Sequence, residues 1–120
     1  MSTSREIPKR GEIWTVNLDP TIGAEIQKKR PALVVSSDAV GKLPIKLIAP
    51  ITGWNNKFAN SPWHVRIDPD QTNGLTKPST IDALQLRGVD VQRFDRKLGK
   101  VSPTLHEEVA AAIAAVVEFQ

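Results

Sequence analysis

Between Gly23 and Arg30 the chain carries one carboxylate, Glu25, and three successive cations, Lys28, Lys29 and Arg30, directly before an apolar run that begins at Pro31. Glu25 and Arg30 lie in one loop, at a separation that lets both side chains converge on a single phosphate. Arginine suits phosphate because its planar guanidinium donates two parallel hydrogen bonds and keeps its charge. RNA offers a reaction that needs little else, since its own 2′-OH attacks the neighbouring phosphorus. A protein then has to supply a base for that hydroxyl, donors for the phosphorane and an acid for the departing 5′-oxygen. DNA lacks this internal nucleophile. The loop Gly23–Arg30 is therefore read as the working site of a protein that acts on RNA. Glu25 is its candidate base, and Lys28 and Lys29 are steering charges whose pull weakens with salt.

The rest of the chain narrows the chemistry by what it leaves out. There is no cysteine, which removes disulfides, thiolate metal sites and a cysteine nucleophile. The histidines, His64 and His106, stand at no metal-binding spacing from a carboxylate, and His106 and Glu107 point apart on a helix. No Gly-rich turn follows a strand in a phosphate-cradle spacing, and no nucleophile elbow is present. Neither a metal nor another cofactor is expected. Thr52 ends an apolar segment and offers a hydroxyl. Trp54 and Phe58, in the polar stretch 53–61, either stack unpaired bases or cover an open end of the fold. His64 has the chemistry of an acid or base, but it reads as outward-facing and nothing places it near Arg30. A formal net charge of +3 and a pI of about 9.5 permit a polyanionic partner without requiring one.

These side chains need a scaffold, and 120 residues suit one domain, set at 8–120 behind a frayed tail, 1–7. Segment 12–18 alternates, with Trp14, Val16 and Leu18 on one face, and reads as a half-buried strand. Segment 31–36 is apolar on both faces and reads as a central strand. Segment 45–52 is a third strand, in which Pro50 fits an edge or a bulge better than mid-sheet. Segment 63–67 alternates, with Trp63, Val65 and Ile67 inward and His64 and Arg66 outward. Segment 79–86 is a fifth strand, 90–94 a short helical turn and 96–101 a last strand. Thr104 and Glu107 have the spacing of a capping box ahead of a C-terminal helix whose stripe is Leu105, Val109, Ile113, Val116 and Val117. The fold class is mainly β with a C-terminal helix, a small antiparallel barrel. No apolar run approaches the roughly 20 residues of a membrane span, and residues 1–10 have no signal-peptide core. A cytoplasmic protein without membrane contact is expected.

Three blocks read in order resemble the MazF/PemK toxin family: Arg10-Gly11-Glu12-Ile13-Trp14, Leu18–Glu25, and Arg30-Pro31-Ala32-Leu33-Val34-Val35-Ser36. The likeness continues through Ala49-Pro50-Ile51-Thr52 and Gln85-Leu86-Arg87-Gly88-Val89-Asp90, and spans about 8–119. The resemblance implies an SH3-like barrel of the CcdB/PemK type. It implies a metal-independent, sequence-specific endoribonuclease that leaves a 2′,3′-cyclic phosphate and a 5′-OH. It further implies a homodimer that binds single-stranded RNA across its groove. A cognate MazE-like antitoxin would cover that groove, and DNA would be bound through the antitoxin complex. Carried over, Arg30 is the catalytic acid and phosphorane stabiliser, Thr52 a catalytic or phosphate-binding hydroxyl, and Glu25 the base or positioning carboxylate. The expected RNA contacts are Lys28, Lys29, Trp54, Asn55, Lys57, Phe58, Gln85 and Arg87.

Two positions depart from the pattern. Leu84 stands where the family often has an acid, with Asp82 two residues earlier on the same face of an ideal strand, and Ala24 stands where many members have serine. Leu84 favours an alternative reading as a catalytically weak RNA- or protein-binding module, of the kind that poisons a topoisomerase. Glu25, Arg30 and Thr52 favour the enzyme.

Overall fold

The apolar segments of the N-terminal half become three adjacent strands: β1 (Glu12–Asn17), β2 (Lys29–Val34) and β3 (Ile45–Gly53). The computed structural model describes residues 6–40 and 43–118. It adds β4 (His64–Ile67), β5 (Ser79–Asp82), β6 (Arg87–Asp90), β7 (Phe94–Lys100) and one helix, α1 (Pro103–Val116). The pairings are antiparallel in the order β4–β5–β3–β2–β1–β7, with β6 also on β3. This is the mainly β fold with a C-terminal helix expected from the sequence.

The barrel is not closed by strand pairing, because β4 and β7 end the sheet. The loop 70–75 lies against β7 instead, where Lys100 N–H donates to Thr72 O at 2.9 Å. A Cβ at Gly99 would collide with the backbone of Thr72 and Asn73, and one at Gly74 with that of Leu98. Asn73 is buried beneath this contact and fixes the loop, donating to Asp68 O and accepting from the Asp70 and Leu75 N–H groups.

The pleat distributes the apolar residues between two cores. Trp14, Val16, Ala32, Val34, Ile48 and Phe94 belong to one, while Ile13, Leu33, Ala49, Ile51, Ile81 and Val109 belong to the other. Thus β1 is buried on both faces, where the sequence suggests one, because α1 covers the face that carries Ile13. In the first core Trp14 meets Phe94 edge to face at 5.9 Å, and its indole N–H donates to Glu12 at 3.0 Å. Burial pushes the Glu12 carboxyl up, but the Lys97 ammonium, the Lys9 N–H and the Trp14 N–H together hold it below its usual value.

Strand β3 is the hub. Ile45–Ile48 pair with β6, Ile48–Pro50 with β2, and Ile51–Gly53 with β5. Pro50 is therefore in mid-sheet, contrary to the edge or bulge its type suggests. It is tolerated because it sits between the end of the β6 pairing and the start of the β5 pairing, where one side of β3 has no ladder partner.

Two local expectations fail for one reason, a side chain that captures backbone N–H groups, and the same capture shapes the loop 53–61. The strand expected over 79–86 stops at Asp82, whose carboxylate accepts from Leu84 N and Gln85 N at 3.0 and 3.3 Å and starts a 3-10 turn over Ala83–Gln85. Asp82 and Leu84 consequently do not share a strand face, and the chain resumes as β6. The helix is capped by Ser102 and not by Thr104: Ser102 Oγ accepts from Leu105 N at 3.1 Å, with Pro103 at the first helical position. The polar stretch 53–61 contains a 3-10 turn, Asn56–Phe58, capped by Asn55. The helical turn expected near 90–94 forms at Val91–Arg93. Val117 lies beyond α1 and is exposed, so the apolar stripe ends at Val116. Of the tail 1–7, residues 1–5 lie outside the described residues. Among the described residues no helix is long and apolar enough to cross a membrane.

Candidate functional site

The β2–β3 register decides what Arg30 faces. Its last pair is Ala32 with Pro50, and extending it by two residues sets Arg30 opposite Thr52. On the other side of β3, Thr52 pairs with Thr80 of β5. The two side chains line one depression of about 190 Å³, together with Lys29, Gly53, Thr76 and Lys77. Arg30 is half-buried, and its only hydrogen bond among the described residues runs from Nε to Gln27 O at 3.2 Å, which leaves the guanidinium face with donors to spare. Lys29 pairs with Asp95 at 3.2 Å, an exposed contact worth little in water. A concentration of cations and hydroxyl donors with no carboxylate among them suits a phosphate.

Glu25 does not line that depression. It lines a second one of about 450 Å³, with Ala24, Pro50, Leu84, Gln85 and Arg87. The two draw on consecutive residues of β3, Pro50 lining the second and Ile51–Gly53 the first. The polar groups of the second are already committed. The Glu25 carboxylate accepts from Ile22 N at 2.6 Å. Gln85 grips the same loop at two points, Oε1 accepting from Ile26 N at 2.6 Å and Nε2 donating to Ala24 O at 3.2 Å. Arg87 donates to Leu18 O at 3.1 Å, and Arg93 to the carbonyls of Asn17 and Asp19. Lys28 is held at φ 71°, its N–H donating to Asp19 Oδ1 and its carbonyl accepting from Leu18 N, both at 3.0 Å. Gly23, at φ 58°, turns the chain where any side chain would be strained.

The aromatic residues of 53–61 form a row against side chains of β4. The Phe58 ring stacks on His64 at 4.0 Å with planes 9° apart, and Trp54 meets Phe58 edge to face at 6.1 Å. The Arg66 guanidinium lies 4.9 Å from the Trp54 ring and the Lys57 ammonium 5.5 Å from that of Phe58. His64 is not outward-facing. Its side chain is 11% exposed, because Phe58 folds over it, Ser61 Oγ lies 2.8 Å from Nδ1, and Asp82 Oδ2 lies 3.6 Å from Nε2. Trp63 is half-exposed beside Leu84, Ala115 and Val116, not in the core. Leu84 is 55% exposed and lines both that groove and the Glu25 depression.

The sequence reading missed Lys77 and Thr76, which fell in a loop judged only by its Asp, Pro, Asn and Gly content. A signal was present. Lys77-Pro78 stands before β5 as Arg30-Pro31 stands in β2, a cation ahead of a proline that stiffens the approach to a buried strand. Among the described residues no three His, Asp or Glu side chains gather to hold a metal ion.

The family model described as "PemK-like, MazF-like toxin of type II toxin-antitoxin system" matches residues 9–117. The chain is 32% identical over 117 residues to endoribonuclease EndoA of Bacillus subtilis, covering 94% of this chain and 99% of that protein. It is 35% identical over 100 residues to endoribonuclease MazF9 of Mycobacterium tuberculosis, covering 78% and 82%. The crystal structure of MazF from Deinococcus radiodurans superposes with a TM-score of 0.81 at 23% identity, covering 96% of this chain and 100% of that one. A MazE–MazF structure from the same organism gives 0.74 at 23%, covering 97% and 100%. At that identity the structural likeness speaks for the fold.

Proposed function

The chain belongs to the PemK-like, MazF-like toxin family of type II toxin–antitoxin systems, and on that footing we propose that it is an endoribonuclease that cuts single-stranded RNA at a short motif without a metal. The observation that carries this reading is that Arg30 and Thr52 line one depression, rich in cations and free of carboxylates in its lining. In the reaction the 2′-oxygen bonds to phosphorus and the P–O5′ bond breaks, giving a 2′,3′-cyclic phosphate and a 5′-OH. Arg30 donates to the phosphorane oxygens and passes a proton to O5′, the Thr52 hydroxyl donates to the same charge, and Glu25 takes the proton of the 2′-OH. Lys28, Lys29 and Lys57 draw in the polyanion. Trp54 and Phe58 offer ring faces to bases beside Asn55, while Gln85 and Arg87 line the RNA path and hold the loop that carries Glu25.

The partners follow from the same footing. Two copies form a homodimer whose groove binds the strand, and a MazE-like antitoxin occupies that groove. The relatives named endoribonucleases and the MazE–MazF structure support this.

The test is cleavage of a long RNA in EDTA, with mapping of the new ends. Cleavage by wild type and its loss in Arg30→Ala, with 5′-OH termini, is the expected result. Equal behaviour of the two proteins sinks the enzyme reading. A second reading, an RNA- or protein-binding module, draws on one observation: the Glu25 carboxylate is engaged by Ile22 N–H and stands in a different depression from Arg30. Tight RNA binding by wild type without any cut would favour it.

A further inference from the structure

Lys77 occupies the Arg30 depression from the opposite edge of β3. Strand β3 lies between β2 and β5, so Arg30 of β2 and Lys77, two residues before β5, approach the Thr52–Gly53 segment from its two sides. The position of Lys77 is built. Ser79 pairs with Gly53 in the ladder, Ser79 Oγ donates to Lys77 O at 2.9 Å, and Trp54 N donates to Pro78 O at 3.1 Å. Pro78 restricts the backbone between those bonds. The side chain then lies across β3. A Cβ at Gly53 would stand 3.6 Å from Lys77 Nζ and 3.8 Å from Cε, which puts the ammonium beside the residue that follows Thr52.

This ammonium has no ion pair among the described residues. Lys29, Arg66 and Lys97 each face a carboxylate. The volume is about 190 Å³, below the roughly 300–1,000 Å³ of pockets that enclose drug-sized ligands. A compact anion fits it better than an extended organic molecule. Two cations from opposite strands, with a hydroxyl between them, complement the two non-bridging oxygens of a phosphodiester.

We propose that Lys77 is a substrate-binding residue that clamps, across Thr52, the same RNA phosphate that Arg30 engages. The proposal rests on the endoribonuclease reading for the identity of the anion. Lysine is a mobile point charge, so it holds the phosphate equally before and during the displacement. It acts on affinity more than on the chemical step.

The experiment compares wild type, Lys77→Ala, Lys77→Arg and Lys100→Ala, the last an exposed cation on β7 outside the site. Binding of a single-stranded oligonucleotide with a 2′-deoxy residue at the cleaved position is titrated over a range of salt, and cleavage of the all-RNA version is timed. Lys77→Ala should weaken binding several-fold and lower the slope of log affinity against log salt by about 0.7, the share of one neutralised phosphate on a single strand. It should raise KM more than it lowers kcat at unchanged Tm. Lys77→Arg should restore most of the affinity, and Lys100→Ala should behave as wild type. Affinity and slope in Lys77→Ala equal to those of Lys100→Ala overturn the proposal, as does a loss that Lys77→Arg does not recover. A wild type that binds the oligonucleotide but cuts no RNA sinks the nuclease reading alone, and the binding arm still decides on Lys77.

Discussion

The two depressions on either side of Pro50 hold similar polar residues in opposite states. Around Thr52, Arg30 makes one hydrogen bond to Gln27 O, and Lys77 makes no ion pair among the described residues. Around Glu25, the carboxylate, the Gln85 amide and the Arg87 guanidinium are each bound to backbone groups of the segment 18–26. A donor already paired with a buried carbonyl stabilises the fold and has less to give a ligand. Arg30 is half-buried and Lys77 exposed, and donors that keep such capacity beside a depression are open to a ligand. The comparison separates two arginines that the sequence reading sets on the RNA: Arg30 lines the open depression, and Arg87 holds the loop beside it.

Arg30→Ala gives the largest expected effect. It should lower the cleavage rate about 100- to 1,000-fold, the usual cost of removing a donor to developing charge, with Tm unchanged. Arg87→Ala in the same assay should lower Tm, because Leu18 O loses its partner; if both variants lose rate alone, the contrast between the depressions is wrong.

Glu25→Gln comes next and tests whether the second depression takes part in the chemistry. Glutamine keeps an oxygen for Ile22 N–H but cannot accept a proton, so a rate loss of roughly 100-fold at constant Tm marks Glu25 as the base. Unchanged cleavage would leave Glu25 a loop cap. Gln85→Ala should cost about 1–3 kcal/mol in chemical unfolding through the unpaired Ile26 N–H, and should speed proteolysis between Ile22 and Lys28. Resistance equal to wild type would show that Asp19 and Arg93 hold the loop without it.

The smallest effect lies away from both depressions. His106 is buried, with Nε2 3.4 Å from Val34 O and Nδ1 without a partner among the described residues. Burial first, then the Arg10 charge, hold its imidazole below its usual value. The unfolded chain therefore takes up a proton near pH 6.5 while the folded chain does not, and stability falls as pH drops from 7 through that region. Thermal melts at pH 7 and pH 5.5 should show a lower Tm at pH 5.5 in wild type and a smaller difference in His106→Gln. Equal differences would place the acid sensitivity elsewhere.

How far the sequence can be read is clearest at particular residues. Alternation located β1 and β4, and continuous apolar runs located β2 and β3, because both patterns are properties of consecutive residues. The order Arg30-Pro31 and Thr52 near the end of β3 were legible for the same local reason. Asp82 reads as a strand residue by type, yet its carboxylate takes two N–H groups and ends the strand. His64 reads as outward by parity, yet the ring of Phe58, six residues away, covers it. The first outcome is local but runs against strand propensity, because an aspartate can take the N–H groups two and three residues on; the second depends on which ring covers a face once the loop 53–61 has folded back.

The amino-acid sequence by itself determined the strand pattern, the family and the loop of cations before a buried strand, because periodicity and short motifs are local. Only the tertiary structure decided that Arg30, Thr52 and Lys77 line one depression and that Glu25 lines another. Those are facts of register between strands, and register is fixed by the burial of whole faces and by turns far apart in the chain.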